Sequence, residues 1–564
     1  MFLKLTYKKY KDKTYHYATI VESVRKGNKT THRVVQNIGR IRTKEDLETA
    51  RKIEQSYKKG YEQREKILRL GDVSITQTRE YGLLYAADEL WTRHGIHQAL
   101  RHALSDTRCE FDLERVIFLL SVNRLYEPGS DLSALGWIKD KAYPGLEVEA
   151  EKQWIYRSLD KLAENKERVE IQVLKNLKKS LGLSLDLVFY DLTSTYFEGI
   201  GPKLAMYGYS RDHRPDKKQI IVGVVMAQGI PIAHRVWPGN TADKSTLQAV
   251  ARDLKHRLGI DNVVFIADRG MISSHNIEEL EDLGYSYILS TKRRRDNLVK
   301  ELLTREIQGP GDEVVLAQEI EPKGMDDGKK GRDENGDGNE RRYILCLNKE
   351  RRSEELERLE EIRQECDTKL EELGERFHRS QREAGKGRRL TKKGVLNRVE
   401  RILGSHKKLF KINIDIDNSL EWELDREAWL YEKAIAGKFL LVTTTHLDPW
   451  QVMTAYKNLQ DVEHAFNELK NLLKLRPLYH RLDKRVCGHV MICHLALLTK
   501  RLITQGTYSN QRLDKLRQIK IHQLDLNGEK VWMRNQITDS QAKILSKLGL
   551  AQPPKQVQEP APVL

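Results

Sequence analysis

From Asp448 to Leu473 the chain reads as one long helix, and the rest is organised around it. An N-cap carboxylate at Asp448 and a proline at the first helical position, Pro449, make a strong start signal. Val452, Ala455, Leu459, Val462, Phe466, Leu469 and Leu473 then recur at alternating spacings of three and four, a stripe that buries one side of the helix. Tyr456, Glu463 and Lys470 form a second row, each seven residues apart. Seven steps of about 100° return to nearly the same heading, so the three share a face. Glu463 follows Val462 directly, which sets its carboxylate at the border of the buried stripe, where a rigid but reachable metal ligand or acid belongs. An ordinary amphipathic helix also sets a Glu and a Lys beside its core, so the row alone decides nothing.

Residues 1–42 alternate polar with apolar and β-branched positions around Gly27-Asn28, predicting two or three strands with a turn; 44–68 read as a charged helix. From about 75 to 182 the pattern is helical, with runs Tyr81–His94, Leu113–Arg124, Trp154–Leu162 and Val169–Leu181. A DNA-binding unit and a plain helical bundle read alike here. At Leu183 the texture turns to β, in a run that ends at Asp191. A hairpin of Gln219–Ala227 and Ile230–Trp237 follows, then a helix Lys244–Leu258 and a strand Asn262–Ala267 ending at Asp268. A helix Ser274–Leu283 and a strand Tyr285–Ser290 complete an order β-β-β-α-β-α-β, an α/β layer around a mixed sheet. The next β segment is Lys438–Thr445, just before the long helix. Between them lies an insertion. Its Asp333, Asn335, Asp337 and Gly338 echo a calcium loop, but Ile344 stands at the twelfth position, so Asp326–Glu340 reads as a disordered surface loop. Leu356 to Phe377 follow coiled-coil spacing, with Val395–Leu409 as the segment that folds back on them. The proline-bearing Gln552–Leu564 reads as a disordered tail.

A length of 564 residues accommodates several domains. The texture changes divide it into a β-hairpin plus helix (1–70), a helical domain with possible DNA binding (71–182), a first core part (183–295), an insertion with a basic helical hairpin (296–437), a second core part with the Glu-bearing helix (438–505) and a C-terminal segment (506–564). The net charge of +16 points to a polyanionic partner, nucleic acid before membrane. No apolar run approaches the ~20 residues of a membrane span; the longest, Ile220–Ala233, is broken by Gly and Pro. No signal-peptide core is present at the N-terminus. Five cysteines argue for a reducing, cytoplasmic compartment. Cys487, His489, Cys493 and His494 lack structural-zinc spacing and continue an apolar pattern, so they read as a core helix. From Arg379 to Lys411 twelve Lys or Arg stand against two Glu. That density, with Lys392 and Lys393 at its centre, suits phosphates, while a solvated helical hairpin is the plain alternative.

Asp191 and Asp268 sit at the C-terminal ends of core strands, and Glu463 offers a third carboxylate. Hard ions such as Mg2+ take a few carboxylate oxygens and keep positions open for water and phosphate. Two such ions about 4 Å apart would serve phosphodiester cleavage. Singly, each Asp is weak, because strand ends often carry Asp for turns. A phosphatase using Asp191 as nucleophile would want a second acid where Thr193 stands. No Gly-x4-Gly-Lys-Ser/Thr loop is present, which argues against an ATP-driven motor.

Tyr456-x2-Leu459-x3-Glu463-x6-Lys470 resembles the Tyr-Arg-Glu-Lys signature of DDE transposases of bacterial insertion sequences. Phe189-Tyr190-Asp191-Leu192-Thr193 and Ala267-Asp268-Arg269-Gly270 resemble their first and second acidic motifs. Trp237-Pro238-Gly239-Asn240 with Asp243, and Leu475 to His480, resemble the longer branch typified by insertion sequence 1634. The resemblance covers roughly residues 5 to 550. It implies an α/β, RNase H-like mixed-sheet core interrupted by a mixed β and helical insertion. It also implies two Mg2+ or Mn2+ ions on Asp191, Asp268 and Glu463, and cleavage and strand transfer at terminal inverted repeats. The implied partner is double-stranded DNA, ends and target, held by a homodimer, with the protein cytoplasmic and nucleoid-associated when bound. By the same analogy Tyr456 and Lys470 touch transposon-end phosphates, and Trp237 joins the DNA-facing set. Leu459 stands where the signature has Arg, so one phosphate contact is lost or supplied by Arg476 or Arg269. The alternative is a catalytically idle or domesticated DNA-binding protein of the same fold. Three intact acids argue against it, since pure binding needs no carboxylates repelling phosphate.

Overall fold

The computed structural model of this chain describes residues 2–10, 13–26, 29–68, 73–143, 151–261, 263–267, 273–291, 297–307, 313–321, 341–382, 390–415, 419–506, 509–526 and 529–557. They fall into two units: Met1–Ala86 with Ile138–Glu149 and Leu513–Leu564, and Ala87–Trp137 with Ala150–Arg512. In the first, the alternating N-terminal residues form β1 (Phe2–Tyr10), β2 (Lys13–Lys26) and β3 (Lys29–Ile41), an antiparallel sheet on which α1 (Lys44–Leu68) packs. Leu3 lies opposite Ile20 and Leu5 opposite Ala18; Ala18, Ile20 and Ala50 of α1 are buried. Gly27 and Asn28 lie outside the described residues, but Lys26 pairs with Lys29 on either side of them. The next element is a strand, β4 (Val73–Glu80), where a helical texture was expected to begin.

The expected helices are α2 (Gly82–Arg93), α4 (Leu113–Tyr126), α6 (Lys152–Glu164) and α7 (Lys166–Leu181). Two short ones, α3 (Ile96–Ala103) and α5 (Asp131–Asp140), carry too few turns to show a period. In the second unit β5 (Leu187–Tyr196), β6 (Gln219–Ala227) and β7 (Ile230–Pro238) form an antiparallel meander. All nine residues of β6 are buried, which explains its unbroken apolar run. The β6–β7 turn has Gln228 at φ +48° and Gly229 at φ +75°, the two left-handed positions of a tight hairpin. After α8 (Asp243–His256), β8 (Val264–Ala267) pairs parallel to β5; after α9 (Ser274–Asp282), β9 (Ser286–Ser290) pairs parallel to β8.

The insertion, expected to mix β and helical segments, gives this sheet two strands whose positions the sequence reading did not place. Following α10 (Asn297–Thr304), β10 (Val315–Ile320) and β11 (Arg342–Asn348) extend it. They are short and flank the Gly- and Asp-rich stretch, so their few apolar positions carried little signal. Most of that stretch, 326–340, lies outside the described residues. A long helix, α11 (Lys349–Arg382), packs as expected against α12 (Lys392–Leu403). The hairpin β12 (Phe410–Ile414) and β13 (Leu420–Leu424) and the helix α13 (Arg426–Ile435) complete a local core around Leu370, Phe377, Val399 and Trp429. With β14 (Lys438–Thr443) the full sheet runs β10-β11-β14-β9-β8-β5-β6-β7.

After α14 (Pro449–Lys457) and α15 (Gln460–Asn467) comes α16 (Asp483–Thr504), packed on α4, α6 and β7. It is apolar almost all round because it is buried almost all round. Contrary to the sequence reading, this helix is long and apolar enough to cross a membrane, yet 94% of the qualifying stretch is buried within the fold. The chain then returns to the first unit through α17 (Gln511–Arg517), β15 (Lys520–Leu526), β16 (Glu529–Arg534), α18 (Asp539–Lys547) and β17 (Gln556–Val557). Here the sheet order is β17-β16-β15-β4, so the tail is strand where Gln556 and Val557 pair with Met533 and Trp532; residues beyond 557 lie outside the described set.

Two features of α16 generate predictions. A Cβ at Gly488 would lie 2.3 Å from the backbone oxygen of Leu159 in α6, so only glycine permits this approach of the helices. Gly488→Ala should lower the unfolding free energy by about 1–3 kcal/mol, read by denaturant melts. His489 and His494 of α16 titrate in opposite directions. Burial opposes a charge on His489, but the adjacent Asp131 carboxylate prevails and pushes it up to about 10. Burial, helped by neighbouring His234, pushes His494 down to about 3. The stabilisation from charged His489 is therefore complete below about pH 6.5 and lost as pH rises through 10. That from neutral His494 is complete above about 6.5 and lost as pH falls through 3. The stability difference between wild type and His489→Asn, on the order of a few kcal/mol, should stay level below pH 6.5 and shrink towards pH 10 in thermal melts.

Candidate active site

The β-rich run expected to end at Asp191 continues as β5 to Tyr196, which sets Asp191 within the strand rather than at its C-terminal end; the strand forms because Val188, Phe189, Tyr190 and Leu192 are buried on its two faces. Asp191 itself is half-buried, with its Oδ1 accepting the Leu192 N–H at 2.7 Å. It lies opposite Val224, and Val224 lies opposite His234, so all three point to one face of the sheet. His234 stacks on His494 of α16, with ring centroids 4.7 Å apart, which identifies that face as the one carrying α16. On the other side of β5, Ala267, the last residue of β8, pairs with Tyr190. Asp268 and Arg269 follow and lie outside the described residues.

The segment Asp448–Leu473 is three pieces rather than one helix. Its start is as expected: Asp448 Oδ1 accepts the Gln451 N–H at 2.9 Å, and Gln451 Oε1 accepts the Asp448 N–H at 3.1 Å. At Asn458-Leu459 the chain tightens, with the Leu459 N–H donating to Tyr456 and the Val462 N–H to Leu459. Such i to i+3 bonds end α14 and restart the helix as α15. From Glu468 to Leu472 the turn widens to a π type, and the Leu473 N–H reaches back to Glu468. Periodicity could not show this, because one tight turn and one wide turn nearly cancel in phase along the stripe. Val462, Ala465, Phe466 and Leu469 are still all buried.

α15 packs on β5 and β6, and Glu463 is exposed on it beside buried Val462. Just beyond, Glu468 pairs with Lys500 at 2.5 Å and Arg501 at 3.0 Å, both fully buried on α16. Nothing in the sequence pattern singled out Glu468; the partners are some thirty residues away and sit inside what reads as an apolar helix.

Two of the expected DNA-facing residues meet. Lys470 on the wide turn and Arg476 beyond it both pair with Asp212, at 2.6 and 2.5 Å, and the Asp212 side chain is only 3% exposed. Burial lowers the Lys470 ammonium from its usual range, and Asp212 opposes that shift. The neighbouring Arg211 pairs with Asp243 at 2.7 Å, and its N–H donates to Ser194 Oγ of β5 at 2.9 Å. Asp212 escaped the sequence reading because the loop before β6 has no period. Tyr456 is half-buried with its ring 6.0 Å from Phe439 of β14. Trp237 is half-buried over β6, where a Cβ on Gly223 would come within 2.7 Å of its ring. Lys392 and Lys393 are exposed at the start of α12, with Lys392 Nζ donating to the Asp415 carbonyl at 3.2 Å.

Among the described residues, two largely buried clusters have ligand atoms close enough to hold a metal, Asp131–His480–His489 and Glu170–His234–His494. Each carboxylate already carries cations. Arg124 pairs with Asp131, and Lys166 and Arg257 both pair with Glu170 at 2.8 Å. A divalent ion would crowd those positive groups, so both clusters are internal ion networks. The two histidines of the former Cys/His cluster thus belong to separate networks, and all five cysteines are free thiols.

The transposase DDE domain model matches residues 185–499, and the IS1634 family transposase N-terminal domain model matches residues 3–67. No curated protein matches the chain. Among solved structures, the piggyBac transposase synaptic complex with hairpin DNA has a TM-score of 0.34 and 10% identity, over 78% of this chain and 82% of that one. The Mos1 transposase paired-end complex with left transposon end has a TM-score of 0.14 and 14% identity, over 32% of this chain and 61% of that one. Likenesses this remote carry no weight for mechanism or partner. The family matches do: with the DDE domain spanning more than half of its length, the chain belongs to the DDE transposases, of the IS1634 type.

Proposed function

We propose that this transposase cleaves and joins DNA at terminal inverted repeats on an RNase H-like core, with Asp191, Asp268 and Glu463 as ligands for two divalent ions, Mg2+ or Mn2+. The observation that carries the reading is the packing of α15, which bears Glu463, on the strand that bears Asp191. Parallel register adds to it: Tyr190 and Ala267 are paired, and each is followed in the sequence by an aspartate. The order β7-β6-β5-β8-β9, antiparallel and then parallel, supports the RNase H-like reading of this mixed sheet. All-oxygen donors suit a hard ion, unlike the His-containing clusters. When bound, such an ion pair supplies activation of the attacking oxygen and charge stabilisation at the leaving one.

The chain's own residues do the rest. Two cations, Lys470 and Arg476, face one carboxylate at Asp212, which leaves a net positive charge for a DNA phosphate. The exposed Lys392 and Lys393 add sequence-independent attraction. Tyr456, Trp237 and Arg269 complete the proposed DNA-facing set, and a homodimer assembled on DNA in the cytoplasm holds the two ends.

In a nicking assay with a duplex carrying the inverted ends and Mg2+, Asp191→Asn, Asp268→Asn and Glu463→Gln should each cut at least about a hundredfold more slowly while still shifting the duplex. Undiminished cutting in any of them removes that residue from the site. A wild type that shifts end DNA but never nicks it is the idle DNA-binding protein instead. Lys470→Ala should weaken end-DNA binding and lower the slope of log K against log salt by about one; an unchanged slope takes Lys470 off the DNA.

A further inference from the structure

The N-terminal sheet carries a charge imbalance that catalysis leaves unused. Residues 1–42 contain seven Lys and four Arg against only Asp12 and Glu22. The strand register sorts part of this charge onto one face. Lys4 lies opposite Thr19, Thr6 opposite Tyr17 and Lys8 opposite Tyr15, so these six share a side. On β3 the register shifts by one residue next to Ala18–Thr19, and Tyr17 lies opposite Arg40. The shift therefore delivers Arg40 to the same side. Ring contacts agree: the Arg40 guanidinium lies 4.0 Å from the Tyr15 ring centroid, and the Lys8 ammonium 6.0 Å from that of Tyr17. Lys4, Thr6, Lys8 and Arg40 are exposed. Leu3, Leu5, Ala18, Ile20 and Glu22 point the other way.

We propose that this face of the β1–β3 sheet docks into the major groove of duplex DNA at the transposon end, a partner that rests on the function proposed above. The face is three strands wide, and at about 4.8 Å per strand its outer strands stand about 10 Å apart, which fits a groove about 12 Å wide. Lys4 and Lys8 on β1 and Arg40 on β3 put positive charge on both outer strands, on side chains long enough to reach the phosphates along the groove walls. Thr6, between the two lysines, brings a hydroxyl to the base edges. Tyr15 and Tyr17 are held by the cations stacked on them, which keeps the face rigid before DNA arrives. This places end recognition in the first unit rather than in the helices after residue 75.

The test uses the full chain in fluorescence anisotropy, with an end duplex, a scrambled duplex of equal length and phosphatidylserine vesicles as probes. The combined Lys4→Ser, Lys8→Ser, Arg40→Ser variant should bind end DNA at least about tenfold more weakly, with a salt slope reduced by about two to three. Thr6→Glu, which keeps all three cations, should weaken it as well, and Lys9→Ser on the opposite face should bind as wild type. Wild-type affinity and slope in the triple variant and in Thr6→Glu overturn the proposal, as does a loss seen on vesicles but not on DNA. If the triple variant unfolds, Thr6→Glu decides alone. Binding that depends on this face in a chain that never nicks DNA would sink the catalytic reading and keep this one; nicking that ignores the face would do the reverse.

Discussion

Two cations buried at the end of an apolar helix are costly unless an anion meets them, and Glu468 is that anion. Lys500 and Arg501 are fully buried on α16, the helix packed across the second unit's sheet and helices. Their carboxylate comes from the turn directly after α15. The pairing therefore fixes where that turn must be, and with it the helix that carries Glu463. Removing one member of such a buried set typically costs about 3–5 kcal/mol, because a charge is stranded. The π-type widening fits the same demand: it lets the chain satisfy Glu468 and still bury Leu469 and Leu473.

The sheet applies a second constraint. A parallel neighbour on one side of β5 and an antiparallel one on the other place Asp191 inside the sheet, on the third strand from the β7 edge. Its neighbour Tyr190 is paired on both flanks, with Val225 of β6 and Ala267 of β8, which fixes the backbone from which Asp191 projects. Gly223, opposite Leu192, makes room for Trp237 and Tyr190 to meet over β6.

Much of this was legible because it is local. The run Leu187–Tyr190, the β6–β7 hairpin, the helices α8 and α9 and the N-cap at Asp448 each follow from a handful of neighbouring residues. What escaped was decided far away along the chain. β4 is a strand because β15, over four hundred residues later, pairs with it. Its own Ile75 is exposed, so alternation there has little force. β10 and β11 are strands because β14 gives them an edge to join. The break at Leu459 sits inside an intact apolar stripe, and Asp212 lies in a loop whose meaning comes only from Lys470 and Arg476. The elements that carry Asp191 and Glu463 could be read from the sequence, whereas the charges that steady those elements could not.

The long helix α11 has a consequence of scale. It leaves directly from the end of β11, at Lys349, and runs without interruption to Arg382. Thirty-four residues at 1.5 Å each make a rod of roughly 50 Å. The insertion therefore works as a strut: the part of its core at Phe377 and Val399 lies far along the rod from the sheet strand that the rod leaves.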